Sequence, residues 1–499
     1  MAKKWKQLCL SEHGDACNDP MRIASPRPAW VIDVQENCVV SGRDCASFVA
    51  LSYVWGKHSW LRVDMDTLAV LQKPGALVDV AEIATNLAPI VRHAMHLTVV
   101  LEERYLWIDA LCIVQGDGNV YDQLNSMGSF YASAVVTIVA ADGESQSGLL
   151  GLEGVSKPRQ VHQEIVPFGE EKLVFGGAFE DGGFASSSYS KRGWTYQEYL
   201  MSKRRLIIHN KRLHWECMCH RKHEDTLRED DASETLHDIK RGFPDLEYLN
   251  WTVSHYNERE FSYEEDALPG ISGLLSNMSR TFTGGFLCGL PEIFFDRALG
   301  WVPNNGYTDL RRRTPSGEGQ HKTTRAKDPS LTILPSWSWL GWHGEVRLSE
   351  HRNPEAVTVD DFWPISEETI PTTEWYTSND AHGVNLRRIR SSWYENRDTL
   401  YKDFLRPLPQ GWSRVEVETN KSDSDSDSDV SKNGIPHELM FPSGCGRYIF
   451  KHEKLPHVKW HYPFPVVNFA SAAQVMPEQT RYLFCKTQGA RLFASRRAA

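Results

Sequence analysis

The sequence predicts an α/β protein: a mostly parallel sheet flanked by helices, followed by a less regular α+β region. Two observations carry this. Short runs rich in β-branched and aromatic residues alternate with stretches whose apolar residues recur at helical spacing. Strands separated by helices in this way form parallel sheets covered on both faces.

The elements follow in order. "FVALSYVW", Phe48 to Trp55, is a buried strand that stops at Gly56. Leu87, Ile90, Val91 and Ala94 then mark a helix, with Thr85 or Asn86 as its cap. "YLWID", Tyr105 to Asp109, is a second strand, and Leu124, Met127 and Tyr131 mark another helix. "AVVTIVAA", Ala134 to Ala141, is a third strand. A polar, glycine-rich stretch runs on to about Lys191, with Gly176/Gly177 and Gly182/Gly183 read as a mobile loop. "RGWTYQEYLMSKR", Arg192 to Arg204, reads as a helix from about Gly193. "RRLIIHNKRLHWEC" is a hairpin turning at His209 to Arg212. In the second half, "SYEEDALPGISGLLSNM" reads as a helix or helix pair around Pro269. "LPSWSWLGWHGEV", Leu334 to Val346, reads as a sheet edge or a tryptophan-rich cap. "KSDSDSDSDVSKNG", 421–434, has almost nothing to bury and reads as a disordered insertion.

Composition narrows the function classes. With 499 residues, 41% of them hydrophobic and 17 tryptophans, the chain can build more than one core. A net charge of -10 argues against a nucleic-acid binder, which carries a basic face; Arg311 to Arg313 read as solvated loop charges. The first residues lack the apolar core of a signal peptide, and no apolar run approaches the roughly 20 residues of a membrane span. Ten scattered cysteines are expected to be free thiols in a reducing, cytoplasmic setting.

Ligands of open α/β sheets bind outside the carboxyl ends of the strands. Those ends carry Ser52, Tyr53, Trp55 and Gly56 after the first strand, and Asp109, Cys112 and Gln115 after the second. Trp194 and Glu198, at i and i+4, share one face of the following helix. Cys217, Cys219, His220 and His223 lack the second ligand pair of a zinc site, so no metal is expected. Cys112 within "LCIV" reads as a small core residue rather than a nucleophile, and no phosphate-cradling glycine loop is present.

Four blocks in order, "ALSYVWG" (Ala50 to Gly56), "RYLWIDALCIVQGD" (Arg104 to Asp117), "MGSFYASAVVTIVAADGESQSGLLG" (Met127 to Gly151) and "RGWTYQE" (Arg192 to Glu198), resemble the fungal heterokaryon-incompatibility (HET) domain family. Further blocks up to Trp342 resemble the region that often follows it. The resemblance implies an N-terminal extension (1–28), a HET domain (29–220), a HET-associated region (221–346) and a tail (347–499). It also implies a role in nonself recognition and the ensuing cell death.

The family looks distantly related to the Toll/interleukin-1 receptor (TIR) fold, a flavodoxin-like arrangement. That likeness matches Ser52 and Tyr53, Ile108 and Asp109, and Tyr189, Ser190, Trp194 and Glu198, with Thr195 where the TIR motif has cysteine. It implies an NAD nucleosidase, with cyclisation as a variant outcome and Glu198 as the catalytic carboxylate. The pocket would use Ser52, Tyr53, Trp55, Gly56, Asp109, Arg192 and Trp194. NAD is then the substrate, no cofactor is required, the active form is a homo-oligomer, and an upstream recognition protein supplies the trigger. The alternative implied by the same fold is a non-enzymatic homotypic adaptor that triggers death.

Overall fold

The computed structural model describes residues 1–21, 26–57, 61–118, 120–160, 164–169, 171–175, 181–226, 229–231, 241–304, 310–315, 333–348, 356–357, 373–396, 407–416, 448–460, 463 and 466–487. The chain divides into two compact units. The first comprises residues 1–237, 258–277 and 313–333, and the second comprises 238–257, 278–312 and 334–499. Residues 421–434 and the Gly176/Gly177 pair lie outside the described residues.

The first unit opens with helices α1 (Ala2–Glu12) and α2 (Gly14–Asn18) and the hairpin β1 (Trp30–Asp33) and β2 (Cys38–Ser41). Strand β3 (Val49–Tyr53) follows, then α3 (Met65–Leu71), α4 (Ala76–Asp79), α5 (Ala81–Asn86) and α6 (Pro89–Val100). Next come β4 (Tyr105–Trp107), α7 (Asp109–Cys112), α8 (Val120–Ser133) and β5 (Val136–Ala140). A hairpin of β6 (Glu164–Phe168) and β7 (Glu171–Phe175) leads to α9 (Asp181–Ala185), α10 (Ser188–Lys191) and α11 (Thr195–Met201). The chain then adds β8 (Arg204–His209), β9 (Arg212–Cys217), β10 (His220–His223) and β11 (Glu229–Asp231).

One sheet organises this unit, in the order β11-β10-β9-β8-β5-β3-β4-β1-β2. Its centre is parallel: β3 pairs with β4 and β5, and β5 with β8. Antiparallel hairpins extend both margins, β1–β2 beside β4 and β9–β11 beside β8. Every residue of β3, β5 and β8 is buried, as expected for strands with both faces covered. Two of those buried residues are cationic. Arg205 is kept inside by an ion pair with Glu216 of β9 (3.1 Å) and by lying over the Tyr199 ring (4.4 Å).

The predicted hairpin holds. Asn210 and Lys211 take the left-handed conformation at its tip (φ 52° and 60°), and their amides donate to the Asp142 carboxylate at 2.7 and 2.6 Å. Other boundaries move. Thr85 and Asn86 end α5 and bond back to Ala81 and Glu82, while α6 starts with Pro89 in its first turn, a position that needs no amide proton. The second predicted strand stops at Trp107, and Asp109 opens α7 instead of ending a strand. Gly182/Gly183 lie in α9 rather than in a loop. Pro269 begins the helix Pro269–Met278 after a 3-10 turn, Glu264–Ala267. Of the three arginines read as solvated, Arg313 is buried and ion-paired with Glu264 at 2.8 Å.

The second unit is an α+β region of small antiparallel sheets. A four-stranded sheet joins Trp412–Glu416, Tyr448–His452, Leu455–Trp460 and Ala356–Val357, and a three-stranded one joins Arg387–Ile389, Thr373–Ser378 and Tyr482–Thr487. Helix Leu246–Asn257 and the fully buried Phe243, Tyr256, Trp339 and Trp393 supply its core. The segment 334–346 forms a 3-10 turn, Trp339–Gly341, and two-residue strands. No helix of the described residues is long and apolar enough to cross a membrane.

Candidate functional site

The site is built around α11, and its setting starts with local hydrogen bonds. Ser187 caps α10 by accepting from the Ser190 amide. The Thr195 hydroxyl lies within bonding distance of the Tyr189 and Arg192 carbonyls (2.6 and 2.8 Å), fixing the short link between α10 and α11. Segment 258–277 clamps the same link: the Gly193 amide donates to the Glu260 carbonyl and the Glu260 amide to the Lys191 carbonyl, at 2.8 and 2.7 Å. Gly193 allows this approach because a Cβ there would stand 2.0 Å from Phe261 Cζ. The Gln197 side-chain amide oxygen Oε1 also accepts from the Gly273 backbone amide at 2.7 Å.

Held this way, α11 aims Glu198 at the central sheet. Glu198 is 2% exposed, and its carboxylate accepts from the Ser52 hydroxyl, near the carboxyl end of β3, at 2.5 Å. The Ser52 oxygen lies 2.6 Å from the Tyr189 hydroxyl. Since a hydroxyl has one proton, the order consistent with an ionised Glu198 runs from Tyr189 to Ser52 to the carboxylate. Tyr131 of α8 donates to the Leu51 carbonyl at 3.0 Å, and its hydroxyl further favours the charged form of Glu198.

A second buried carboxyl lies within electrostatic reach. Asp109 accepts from the Trp55 indole (2.9 Å), the Tyr53 hydroxyl (3.1 Å) and the Ala110 amide (2.8 Å). Arg192 donates to the Tyr53 carbonyl at 2.7 Å and lies over the Trp55 ring at 5.5 Å. Burial pushes Glu198 up to about 7 and the Asp109 charge pushes the same way; Arg192, Ser52 and Tyr131 oppose the rise. Burial also raises Asp109, against Arg192 and its hydrogen-bond donors. Two carboxyls and one guanidinium in a poorly hydrated setting are the kind of arrangement that tunes a proton or stabilises a developing cation.

The structure brings together Ser52, Tyr53, Trp55, Asp109, Arg192 and Glu198. Gly56 closes β3 in a left-handed turn (φ 79°). Trp194 and Glu198 do share one helical turn: Trp194 is itself in the right-handed helical conformation and its carbonyl accepts the Glu198 amide at 3.3 Å, while its indole donates to Asp266 at 3.2 Å. Tyr131 was not singled out for the site, because its spacing on α8 is that of an ordinary core stripe. Burial pushes the Cys112 thiol up to about 12 while its sulfur accepts the Ile108 amide, an inert core setting. The set Cys217, Cys219, His220 and His223 does not converge either. His223 instead faces His214, with 2.7 Å between their Nδ1 atoms. Donors that could hold a metal meet elsewhere in the first unit, at Cys9, His13, Cys17 and Cys217.

Residues 48–198 match the family model described as Heterokaryon incompatibility protein (HET). The match begins just before β3 and ends on Glu198, so it spans the whole cluster around that carboxyl. Comparison with curated proteins and with solved structures returned no match. Over residues 48–198 the chain is therefore similar to the HET domain.

Proposed function

We propose that this chain carries a HET domain with a TIR-like fold and kills by hydrolysing NAD, with Glu198 as the catalytic carboxylate. The observation that carries this reading is the placement of a buried carboxyl, raised to about 7, against Ser52 near the carboxyl end of a central parallel strand. Cleavage of the nicotinamide-ribose bond sends the bonding electron pair to the ring nitrogen, which leaves as neutral nicotinamide. The ribose is left oxocarbenium-like until water adds, giving ADP-ribose and a proton. An ionised Glu198 stabilises that positive charge. The leaving group is already cationic in the substrate, so no strong general acid is needed.

Trp55 and Tyr53 supply aromatic faces for a base, and Arg192 supplies a guanidinium for the pyrophosphate. Because Glu198 is 2% exposed, neighbouring side chains must move before a dinucleotide reaches it, and we assign that opening to self-association triggered by an upstream partner. The same burial motivates the second reading, in which Glu198 is a structural group of a non-enzymatic adaptor. Nicotinamide release by the purified chain, dilute and crowded, tests the first reading. Absence of release in every oligomeric state, with cell killing retained, would establish the adaptor.

The pH dependence has a definite sign. The ionised form grows as pH rises through about 7, so kcat should climb across that range. Arg192→Ala removes the leading opposing influence on Glu198 and should move the midpoint upward, while KM rises about 10-fold or more from the lost phosphate contact. Arg192→Lys should restore most of the midpoint and less of the KM. An unmoved midpoint would detach Arg192 from the carboxyl.

A further inference from the structure

Cys9, His13 and Cys17, spaced by four, lie along the N-terminal segment, Cys9 in α1, His13 at the junction and Cys17 in α2. That segment bends where α1 gives way to α2 at His13 and Gly14 (φ 48° at Gly14), which turns Cys17 back toward Cys9. The last residue of β9, Cys217, meets them from two hundred residues away. The four donor atoms all lie within 4.8 Å of one another. His13 Nδ1 is 3.5 Å from both the Cys17 and the Cys217 sulfur. Tetrahedral zinc, with Zn–S of about 2.3 Å and Zn–N of about 2.0 Å, demands sulfur-to-nitrogen edges of about 3.5 Å.

We propose that Cys9, His13, Cys17 and Cys217 bind one structural zinc ion that fastens the N-terminal helices to the β9 margin of the sheet. The surroundings suit thiolate ligands. Arg204, 1% exposed, donates from Nε to the Cys9 sulfur at 3.1 Å, and the His220 amide donates to the Cys217 sulfur at 3.4 Å. Three thiolates and a neutral imidazole leave the zinc complex one negative charge, which the buried guanidinium balances. Soft sulfur donors select zinc over magnesium or calcium, and four protein ligands close the coordination sphere, the mark of a structural rather than catalytic ion. Cys9, Cys17 and Cys217 are buried and free. Cys219, half-buried, places its sulfur 3.6 Å from that of Cys17 and stays outside the set.

The test uses the full chain, purified reduced and zinc-replete. Elemental analysis should find about one zinc per chain. Replacing zinc with cobalt should give the thiolate charge-transfer absorption and the intense visible bands of a tetrahedral site. Cys17→Ser and Cys217→Ser should lose the metal, His13→Cys should keep it, and His13→Ala should weaken binding at least 10-fold. Cys219→Ser and Cys485→Ser should retain it. Should the serine variants fail to fold, the wild-type cobalt spectrum and the His13→Cys variant still decide the matter. A reduced wild-type chain that takes up no zinc or cobalt would overturn the proposal. So would a Cys17–Cys217 or Cys17–Cys219 disulfide in the freshly purified protein, or metal lost in Cys219→Ser but kept in Cys9→Ser.

Discussion

Replacing Glu198 with glutamine is expected to cut nicotinamide release by about 10³-fold while making the protein more stable above neutral pH. Glutamine keeps the shape and can still accept from Ser52, but it cannot carry the negative charge that the growing ribose cation requires. The stability effect follows from the raised pKa. Glu198 titrates near 4.5 when unfolded and at about 7 in the fold, so the folded state holds its proton more tightly. Below pH 4.5 that preference contributes in full. It declines as pH rises through about 7, beyond which the buried charge costs up to about 3 kcal/mol relative to the protonated state. Glutamine never ionises, so the stability gap between Glu198→Gln and wild type should widen from pH 5 to pH 8 in denaturant titrations. Retained turnover would make the carboxyl structural. Retained killing without turnover would favour the adaptor.

Gly193→Ala is expected to destabilise the first unit by about 3 kcal/mol, lowering Tm by roughly 10 °C. The added Cβ would stand 2.0, 2.2 and 2.4 Å from three atoms of the Phe261 ring, too many contacts for a small side-chain rotation to relieve. Arg313 lies over that ring at 5.3 Å, further limiting where it can go. The change should also misdirect α11 and so reduce any turnover that depends on Glu198. Phe261→Ala on its own should destabilise by leaving a cavity, yet the double variant should be less damaged than the two effects summed. Thermal melts of the three variants check this; strict additivity would show that the ring is not what Gly193 accommodates.

The sequence revealed most where burial on both faces left a continuous apolar signature. Phe48 to Trp55, Ala134 to Ala141 and the Arg204–Cys217 hairpin were legible for that reason, and the position of Ser52 followed from the first of them. The reading erred where local patterns have two outcomes. "YLWID" continues like a strand, but the Asp109 carboxylate bonds the Ala110 amide and a helix starts there. Trp194 and Glu198 do share one helical turn, as their spacing predicts, but the indole's acceptor on Asp266, 72 residues on, left no local signal. Contacts made over long separations left no periodic trace. Tyr131 looked like any core residue of α8, and Cys9, His13 and Cys17 gained meaning only when Cys217 arrived beside them.

Segment 258–277 reaches the first unit after an excursion through residues that belong to the second. On a ribosome, α11 therefore emerges well before Glu260, Phe261, Asp266 and Gly273, and a truncated gene product ending at 198 or 237 never acquires them. Such fragments, a natural choice for expressing the matched domain by itself, would leave the Gly193 amide, the Trp194 indole and the Gln197 amide group without the acceptors and donor that steer the helix. Recombinant work on this protein should accordingly carry the chain past residue 333, since Arg313, buried and ion-paired with Glu264, also belongs to the first unit, and inactivity of anything shorter would not test the chemistry.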